Sequence, residues 1–421
     1  MNLFRRINEG EFIKQTATLL SGAVVAQLIF ILFSPLLSRL YSPHEFGMYA
    51  LFMSILNPLS IIATGRYEQA IVIPESDKDA ISIYSITNLI SVIISSLLII
   101  ILIFFGDKLV HLLKAEQLGN WLYMIPVSLI LLSFSQSSTF WFIRKKTFKA
   151  SAVNKISQSS FNIMCSVPMG FLHVNKGLII GDVAGKFVLA LVSVYQSVKS
   201  GLNFRLLKLQ CIIDNLIRFR KFPLYNAIPS LLVTLSLSIP IFYINSYFSG
   251  SDTGFVNQTR LALFVPLSLI SAAISQVLLN RFSEKRKAGS SITREFKKIL
   301  GYIITVGVLV LLAILAGGRT LFSLVFGNEW AIAGEYAKIL VFSYIIQFIV
   351  SPFSVVFIAF ERIKLLSIWQ IFYFLSILLL FLARSVSITD FLLIYTGIEF
   401  LCYLIYLFLI MKVIADYERT R

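Results

Sequence analysis

Charged residues are scarce in this 421-residue chain, at 14%, whereas 57% of its residues are hydrophobic. A soluble protein of this length would need far more charge to solvate its surface, so the composition excludes that class. Histidine and cysteine are scarce too, with three of each. Cys165, Cys211 and Cys402 lie in or beside apolar runs without the spacing of metal ligands, which favours small packed side chains over disulfides or a zinc site.

Catalytic patterns are missing as well. His44, His111 and His173 are isolated from one another, and no glycine-rich phosphate loop followed by Lys-Ser or Lys-Thr occurs. The loops are too short for a soluble catalytic domain. A membrane-embedded polymerase or glycosyltransferase would need a substantial external loop with acidic or arginine clusters. We therefore expect that the protein is not an enzyme and uses neither a cofactor nor a metal ion.

Long apolar runs dominate the chain, and each run of about 20 residues can cross roughly 30 Å of hydrocarbon as a helix. They predict an all-α polytopic membrane protein. The N-terminal MNLFRRINEGEFIK is a basic head before a full-length span, so we expect no cleavable signal. The twelve predicted spans are 13–39, 45–72, 80–105, 119–143, 150–172, 177–198, 223–248, 254–280, 299–317, 335–360, 363–384 and 389–412.

Lysine and arginine give the predicted orientation. With the N-terminus in the cytoplasm, 27 of the 37 Lys and Arg residues fall in cytoplasmic segments, 7 fall in external segments and 3 lie within spans. This positive-inside pattern predicts that both termini are cytoplasmic. The net charge of +16 is spread over alternate loops rather than gathered on one module, so we expect no nucleic-acid partner.

The second half of the chain echoes the first. Gly47 and Gly254 each follow a short polar turn, and Pro58-Leu-Ser and Pro266-Leu-Ser follow at nearly the same offset. This repeat predicts two pseudo-symmetric six-helix bundles, a common transporter plan, and the alternative is a chance match of two proline-containing helices. The predicted domains are an N-terminal bundle (1–198), a basic cytoplasmic interfacial linker (199–222) and a C-terminal bundle (223–421).

Three segments resemble a known family: SRLYSPHEFGMYALF, RYEQAIVIP and PLSLISAAISQVLLNRFSE. They are similar to the polysaccharide-exporter branch of the multidrug/oligosaccharidyl-lipid/polysaccharide exporter superfamily, which contains the O-antigen and capsule repeat-unit flippases. The resemblance implies that an undecaprenyl-diphosphate-linked oligosaccharide moves from the inner to the outer leaflet of a bacterial cytoplasmic (inner) membrane. It implies membrane lipids as partners and admits other polysaccharide-assembly membrane proteins. Lys186 departs from the family, where relatives often carry a neutral polar residue.

A flippase must pass a sugar head and a diphosphate while the polyprenyl tail stays in lipid, so it needs polar helix faces and fixed cations. Spans 1, 5 and 7 are the least lipid-like, and we expect them to line a hydrated cleft. The alternative is hydrogen bonding between helices, for which span 5 is too polar. The polar residues are Gln15, Thr16, Thr18, Ser21 and Gln27 in span 1; Asn154, Lys155, Ser157, Gln158, Ser159, Ser160 and Asn162 in span 5; and Asn226, Ser230, Thr234, Ser236, Ser238 and Asn245 in span 7.

Ionisable side chains within spans cost at least about 2.5 kcal/mol at the bilayer centre, which makes each a functional candidate. Asp182 and Lys186 are spaced i, i+4, which permits either a local ion pair or a substrate role. Lys155 either snorkels to the interface or lines the cavity. Glu399, near the middle of span 12, either exchanges protons during transport or stays protonated in a hydrogen bond with a neighbouring helix. The predicted ion-coupling candidates are Glu399, Glu68 and Asp182.

Two arginines are the main predicted diphosphate ligands. If span 2 is one helix over 45–72, Arg66 lies six residues inside its cytoplasmic end, and Glu68 points to another face. Arg260 lies about six residues inside the external end of span 8. We predict that Arg66 binds the diphosphate in the inward-open state and Arg260 in the outward-open state, since a guanidinium fork binds phosphate bidentately. The alternative for Arg66 is snorkelling to headgroups. The predicted substrate-binding set is Arg66, Arg260, Lys186, Lys155, Asn257 and Gln158.

The sequence therefore predicts a flippase that works by alternating access. The alternative is an ion-coupled exporter of small amphiphilic molecules on the same fold. A cationic cavity favours diphosphate-linked sugars and an acidic cavity favours organic cations, and this sequence leans cationic.

Overall fold

A computed structural model describes residues 22, 24–383 and 386–421. Helices dominate them, because an apolar run in hydrocarbon must satisfy its backbone N–H and C=O groups internally. Four polar residues of predicted span 1, Gln15, Thr16, Thr18 and Ser21, lie outside the described residues. The α-helices are α1 (Val24–Leu40), α2 (Pro43–Thr64), α3 (Asp77–Leu113), α4 (Met124–Arg144), α5 (Phe148–Phe171), α6 (Gly177–Lys199), α7 (Leu209–Arg218), α8 (Ile228–Tyr247), α9 (Gly250–Thr259), α10 (Val265–Lys287), α11 (Thr293–Phe326), α12 (Ala331–Val350), α13 (Val355–Ala359), α14 (Ile363–Leu378) and α15 (Ile388–Thr420).

Within the described ranges, 10 helical segments are long and apolar enough to cross a membrane. Two further helices match the remaining predicted spans. α1 is apolar but shorter, and α5 is long enough at 24 residues but rich in polar side chains. The predicted all-α polytopic membrane class is confirmed.

The chain separates into two compact units. The N-terminal unit comprises the described part of Met1–Tyr41 together with Met48–Thr234, and the C-terminal unit comprises Ser42–Gly47 together with Leu235–Arg421. The domain boundaries given by the sequence remain predictions.

The prediction of a single helix over 45–72 is wrong. α2 ends at Thr64, and Gly65 and Arg66 both adopt left-handed backbone angles, with φ of 55° and 59°. Glycine accepts this conformation without a steric penalty, so it ends the α-helix and turns the chain. Residues Tyr67–Val72 then form a separate 3₁₀ helix.

A hydrophobic cluster in the N-terminal unit holds this 3₁₀ helix in place. Tyr67 and Ile71 are buried against Tyr84 of α3 and Trp141 of α4, and Phe219 joins them from the residue that follows α7. The segment that carries Arg66 is therefore a packed element and not a free loop.

Helices α5 and α6 pack closely in the same unit. A Cβ on Gly185 would lie 2.8 Å from the backbone oxygen of Gln158, and one on Gly181 would lie 2.8 Å from that of Asn162. Small residues spaced by four let membrane helices approach at this range.

In the C-terminal unit, the start of α2 packs against the start of α9. A Cβ on Gly47 would strike the carbonyl oxygen of Gly250, and one on Gly254 would strike the carbonyl oxygen of Pro43. The buried ring of Trp330 packs beside this crossing. The two glycines that the sequence repeat pairs therefore lie against each other.

Candidate substrate and ion-coupling sites

Glu399 is fully buried in the C-terminal unit and accepts three hydrogen bonds. Its Oε1 accepts from the hydroxyls of Tyr373 at 2.8 Å and Tyr395 at 2.9 Å, and its Oε2 accepts from Nε2 of Gln347 at 2.7 Å. Gln347 lies on α12 and Tyr373 on α14, whereas Tyr395 is one turn before Glu399 on α15. Hydrogen bonds to neighbouring helices are therefore present, whereas the protonation state of Glu399 and its proton exchange stay predictions.

This arrangement suits a carboxyl group that changes its protonation state. As an anion, Glu399 accepts from all three donors. When protonated, it can donate to a tyrosine oxygen after that hydroxyl rotates, since a phenol both donates and accepts. The network can thus hold either form without moving a helix.

Arg260 and Glu399 line the same cleft. The cleft is small: its cavity volume is about 20 Å³, room for roughly one water molecule. Arg260 is half-buried, with its guanidinium carbon 5.7 Å from the centroid of the Phe264 ring. The sequence predicted the two charged residues separately, one for substrate and one for ion coupling. The other residues that line the cleft are Leu237, Pro240, Ile241, Val256, Phe264, Tyr344, Gln347 and Tyr395.

A π-helical turn positions Arg260. Residues Arg260–Phe264 form this turn between α9 and α10, and the N–H of Val265 donates to the carbonyl of Arg260. Pro266 follows and has no N–H for the α-helical bond to residue 262, which favours a widened turn here. The predicted depth of Arg260 needs correction, because the helix begins at Gly250, about 15 Å before Arg260 at 1.5 Å per residue.

In the N-terminal unit, Arg66 pairs with Glu68. Nη1 of Arg66 lies 3.6 Å from Oε1 of Glu68, and the Glu68 side chain is fully buried. The expectation that Arg66 and Glu68 point to different helix faces is wrong. That expectation assumed a continuous helix, and a left-handed turn at Arg66 takes its place. Neither carboxylate oxygen meets hydrogen-bond geometry within the described chain. Burial raises the pKa of Glu68 above its usual range, and the nearby Arg66 guanidinium opposes that rise.

Arg144 fixes the segment that follows Arg66, a role that the sequence did not reveal. Its guanidinium donates to Oδ1 of Asp77 at 3.0 Å, to the Glu75 carbonyl at 2.9 Å, and to the Pro74 carbonyl. A basic residue beside a predicted span end gives no hint of such contacts, because its partners lie about 70 residues away in the chain.

Asp182 and Lys186 form the predicted i, i+4 ion pair on α6, and both side chains are buried. The hydroxyl of Tyr49 lies 3.4 Å from Oδ1 of Asp182, and Nζ of Lys186 lies 3.8 Å from the sulfur of Met53. This pair is separate from the Arg66–Glu68 pair in the same unit.

The remaining predicted site residues join neither charged pair nor the cleft. Lys155 is exposed and Gln158 half-buried on α5. Asn257 is buried one turn before Arg260 but does not line the cleft, and its Nδ2 has no hydrogen-bond partner in the part of the chain that the structure covers. Of the other polar residues of span 5, Asn154 donates to Ser193 of α6 at 3.0 Å. This is hydrogen bonding between helices, the alternative to a hydrated cleft. Among the described residues, no group of three or more His, Cys, Asp or Glu side chains could hold a metal ion.

Solved membrane transporters share this fold. A multidrug resistance MATE family transporter of the MOP superfamily, inward-facing, gives a TM-score of 0.71 at 14% identity over 95% of this chain and 96% of its own. The lipid II flippase MurJ, inward closed, gives 0.73 at 13% identity over 96% and 90%. The Vibrio cholerae MATE transporter VcmN, in its bent form, gives 0.57 at 14% identity over 97% and 97%. At such identities the likeness establishes the fold alone.

The sequence itself establishes the family. No curated protein sequence matches the chain, but residues 36–335 match a family model described as "Polysaccharide biosynthesis protein". That range covers well over half of the chain, and it includes Arg66, Asp182, Lys186 and Arg260. Together with the fold, it confirms the resemblance to the polysaccharide-exporter branch. The chain belongs to the polysaccharide biosynthesis protein family.

Proposed function

We propose that the protein is a flippase that moves an undecaprenyl-diphosphate-linked oligosaccharide, such as an O-antigen or capsule repeat unit, across a bacterial cytoplasmic membrane. It works by alternating access from the inner to the outer leaflet. The observation that carries this proposal is the cleft that holds Arg260 and Glu399 among membrane-crossing helices of a polysaccharide biosynthesis family member.

Arg260 suits a diphosphate ligand because, among the described residues, its guanidinium is not engaged in a salt bridge. Within the described residues no carboxylate lies within 4.0 Å of it, and Glu399 takes its hydrogen bonds from Gln347, Tyr373 and Tyr395 instead. A planar guanidinium fork can therefore bind phosphate oxygens bidentately in a site of low dielectric.

Arg66 is the proposed ligand for the opposite state. The Arg66 side chain is 27% exposed, so it can contact a headgroup. Glu68 and the packed 3₁₀ helix hold it in one place. By the positive-inside pattern this segment faces the cytoplasm. Arg66 then engages the diphosphate in the inward-open state, and Arg260 engages it in the outward-open state.

Glu399 is the proposed proton-coupling group, with Glu68 as a second candidate. A proton that enters Glu399 removes a negative charge from the cleft beside Arg260, which strengthens the attraction of the cleft for a diphosphate. A proton that leaves restores the carboxylate and favours release.

Alanine substitutions test the proposal in a host whose surface polysaccharide depends on this chain. Arg66→Ala and Arg260→Ala should each abolish surface polysaccharide at normal membrane levels of the protein. Lysine at either position should restore it only partly, because the charge survives and the fork does not. Arg319→Ala is the matched control, since Arg319 is exposed and lies outside the cleft, and it should export normally. Normal export by both alanine variants at matched expression would refute the proposal.

A second candidate is an ion-coupled exporter of small amphiphilic cations, which the carboxylate in the cleft favours. Efflux of ethidium from cells separates the two functions. Efflux that survives Arg260→Ala and is lost with Glu399→Gln would favour this exporter over the flippase.

A further inference from the structure

A cavity of about 480 Å³ lies in the N-terminal unit, between the end of α3 and the 3₁₀ helix Gly119–Tyr123. Pockets of roughly 300–1,000 Å³ are the size that proteins use for small-molecule ligands. The hydroxyl of Tyr123 donates to the carbonyl of Leu102 at 3.2 Å, which joins the two walls of the cavity. The predicted orientation places this end of α3 outside the cell. The segment that carries Arg66 packs near the opposite end of α3, so the cavity is a separate site.

Asp107 and Asn120 line the cavity from its two walls and have no protein partner there. Within the described residues, neither side chain forms a hydrogen bond or an ion pair. His111, one turn after Asp107, pairs with Glu116 at 2.9 Å instead. An ionised carboxylate only accepts hydrogen bonds, so the Asp107 carboxylate is available to a ligand that carries N–H or O–H donors.

The exposed apolar surface of α3 leads to Asp107. Helix α3 is a candidate membrane span, and every exposed large apolar side chain from Leu89 to Phe104 falls within one arc of roughly 140°, at about 100° per residue. Asp107 falls near the middle of that arc, one turn further on. The stripe from Leu89 to Phe104 is about 22 Å long, most of the roughly 30 Å thickness of hydrocarbon. A lipid chain that lies along this stripe therefore brings its headgroup to the cavity.

Two cations accompany the cavity. Lys108 lines it and is exposed, with its Nζ 5.9 Å from the centroid of the Phe105 ring. Nζ of Lys176 donates to the carbonyl of Leu118 at 3.2 Å. A Cβ on Gly119, which lines the cavity, would lie 3.9 Å from that Nζ. The cavity therefore combines positive charge with a free carboxylate, which complements a ligand that carries both charges.

Aromatic rings mark the level of the cavity in the membrane. Phe104, Phe105 and Tyr123 all line it and are exposed, Phe104 by 74%. Exposed aromatic side chains of membrane proteins concentrate where hydrocarbon meets headgroups. The cavity therefore lies at headgroup level, at the end of an apolar stripe that a free sugar would not use. A lipid matches both features.

We propose that this cavity binds the headgroup of a phosphatidylethanolamine molecule from the outer leaflet. The ammonium group donates to Asp107, the phosphate accepts from Lys108 and Lys176, and an acyl chain lies along the exposed stripe of α3. Hydrogen bonds between an ammonium and a carboxylate are roughly twice as strong as those between neutral groups. A choline headgroup has the same charge but no N–H to donate, so Asp107 distinguishes the two lipids.

Native mass spectrometry of the full chain tests the carboxylate. Phosphatidylethanolamine and phosphatidylcholine with identical acyl chains have equal net charge, so the +16 charge of the protein does not bias the comparison. The unaltered chain should retain several-fold more phosphatidylethanolamine, and Asp107→Asn should lose that preference. Glu116→Gln is the matched control and should keep it, because this exposed carboxylate pairs with His111 and does not line the cavity. Equal retention of the two lipids by the unaltered chain, or an equal loss in both variants, would overturn the proposal.

Filling the cavity tests where the lipid binds. Gly106 lines the cavity, and a Cβ there would lie 3.9 Å from the Tyr123 hydroxyl, an ordinary contact. Gly106→Leu should therefore fold and lower the retention of phosphatidylethanolamine several-fold. Gly301→Leu, whose Cβ stands in open space on α11, is the matched control and should retain the lipid as the unaltered chain does. Undiminished retention by Gly106→Leu would overturn the proposal. Neither measurement involves transport, so their outcome is distinct from that of the flippase proposal.

Discussion

Exchanging the buried Asp182–Lys186 pair for apolar residues separates a structural role from a transport role. Their relative exposures are 5% and 2%. Lys186→Met leaves Asp182 buried, with the Tyr49 hydroxyl 3.4 Å away as its remaining partner. Such a stranded charge costs about 3–5 kcal/mol, whereas replacing both charges by side chains of similar volume is often neutral or stabilising. We expect Lys186→Met to destabilise the protein by that amount and Asp182→Leu/Lys186→Met to recover most of it.

The fraction of protein that stays monodisperse in detergent as the temperature rises measures these changes in stability. At about 2–4 °C per kcal/mol for a unit of about 200 residues, the single variant should melt roughly 6–20 °C lower and the double variant close to the unaltered chain. The half-exposed Glu335–Lys338 pair, 3.0 Å apart, gives the matched control: Lys338→Met should cost less than about 1 kcal/mol. The double variant should also export polysaccharide. A stable double variant without export would refute a purely structural pair, and a double variant no more stable than the single would refute the electrostatic reasoning.

Three further outcomes follow from the contacts described above. Because burial raises the pKa of Glu68 in the folded protein, stability should fall as pH rises from the usual glutamate pKa through the raised one, and Glu68→Gln should flatten that slope in thermal melts. Gly254→Ala should lower the melting temperature, at a cost of about 1–3 kcal/mol, because its Cβ would strike the Pro43 carbonyl. Gly301→Ala, which places its Cβ in open space, should be neutral or stabilising by up to about 1 kcal/mol. Glu399→Gln should fold normally but weaken transport driven by a pH gradient in vesicles, and unchanged gradient dependence would remove Glu399 from coupling.

The membrane spans could be predicted because hydrocarbon imposes one strong rule, a long apolar run for each crossing. Pairs within a helix could be predicted for a similar reason. The i, i+4 spacing that brings Lys186 to Asp182 also brings Tyr395 to Glu399, and it depends on helical geometry alone.

Contacts between helices could not be predicted in this way. Gln347 and Tyr373 reach Glu399 across 52 and 26 residues of chain, and no spacing rule links them. The break after Thr64 did leave a signal, since Gly65 stands where a glycine commonly ends a helix. The apolar residues on both sides outweighed it, and the error placed Arg66 on a helix that does not exist.

The crossing of α2 and α9 is reciprocal. Gly47 approaches the carbonyl of Gly250, and Gly254 approaches the carbonyl of Pro43. Each helix therefore contributes the same kind of surface, a glycine and a backbone carbonyl. Two identical chains make contacts of this form across a two-fold axis. In such a dimer, one substitution alters both sides of the contact at once. In this single chain the two glycines are separate positions, so either can mutate while the other stays, and each must remain small on its own account.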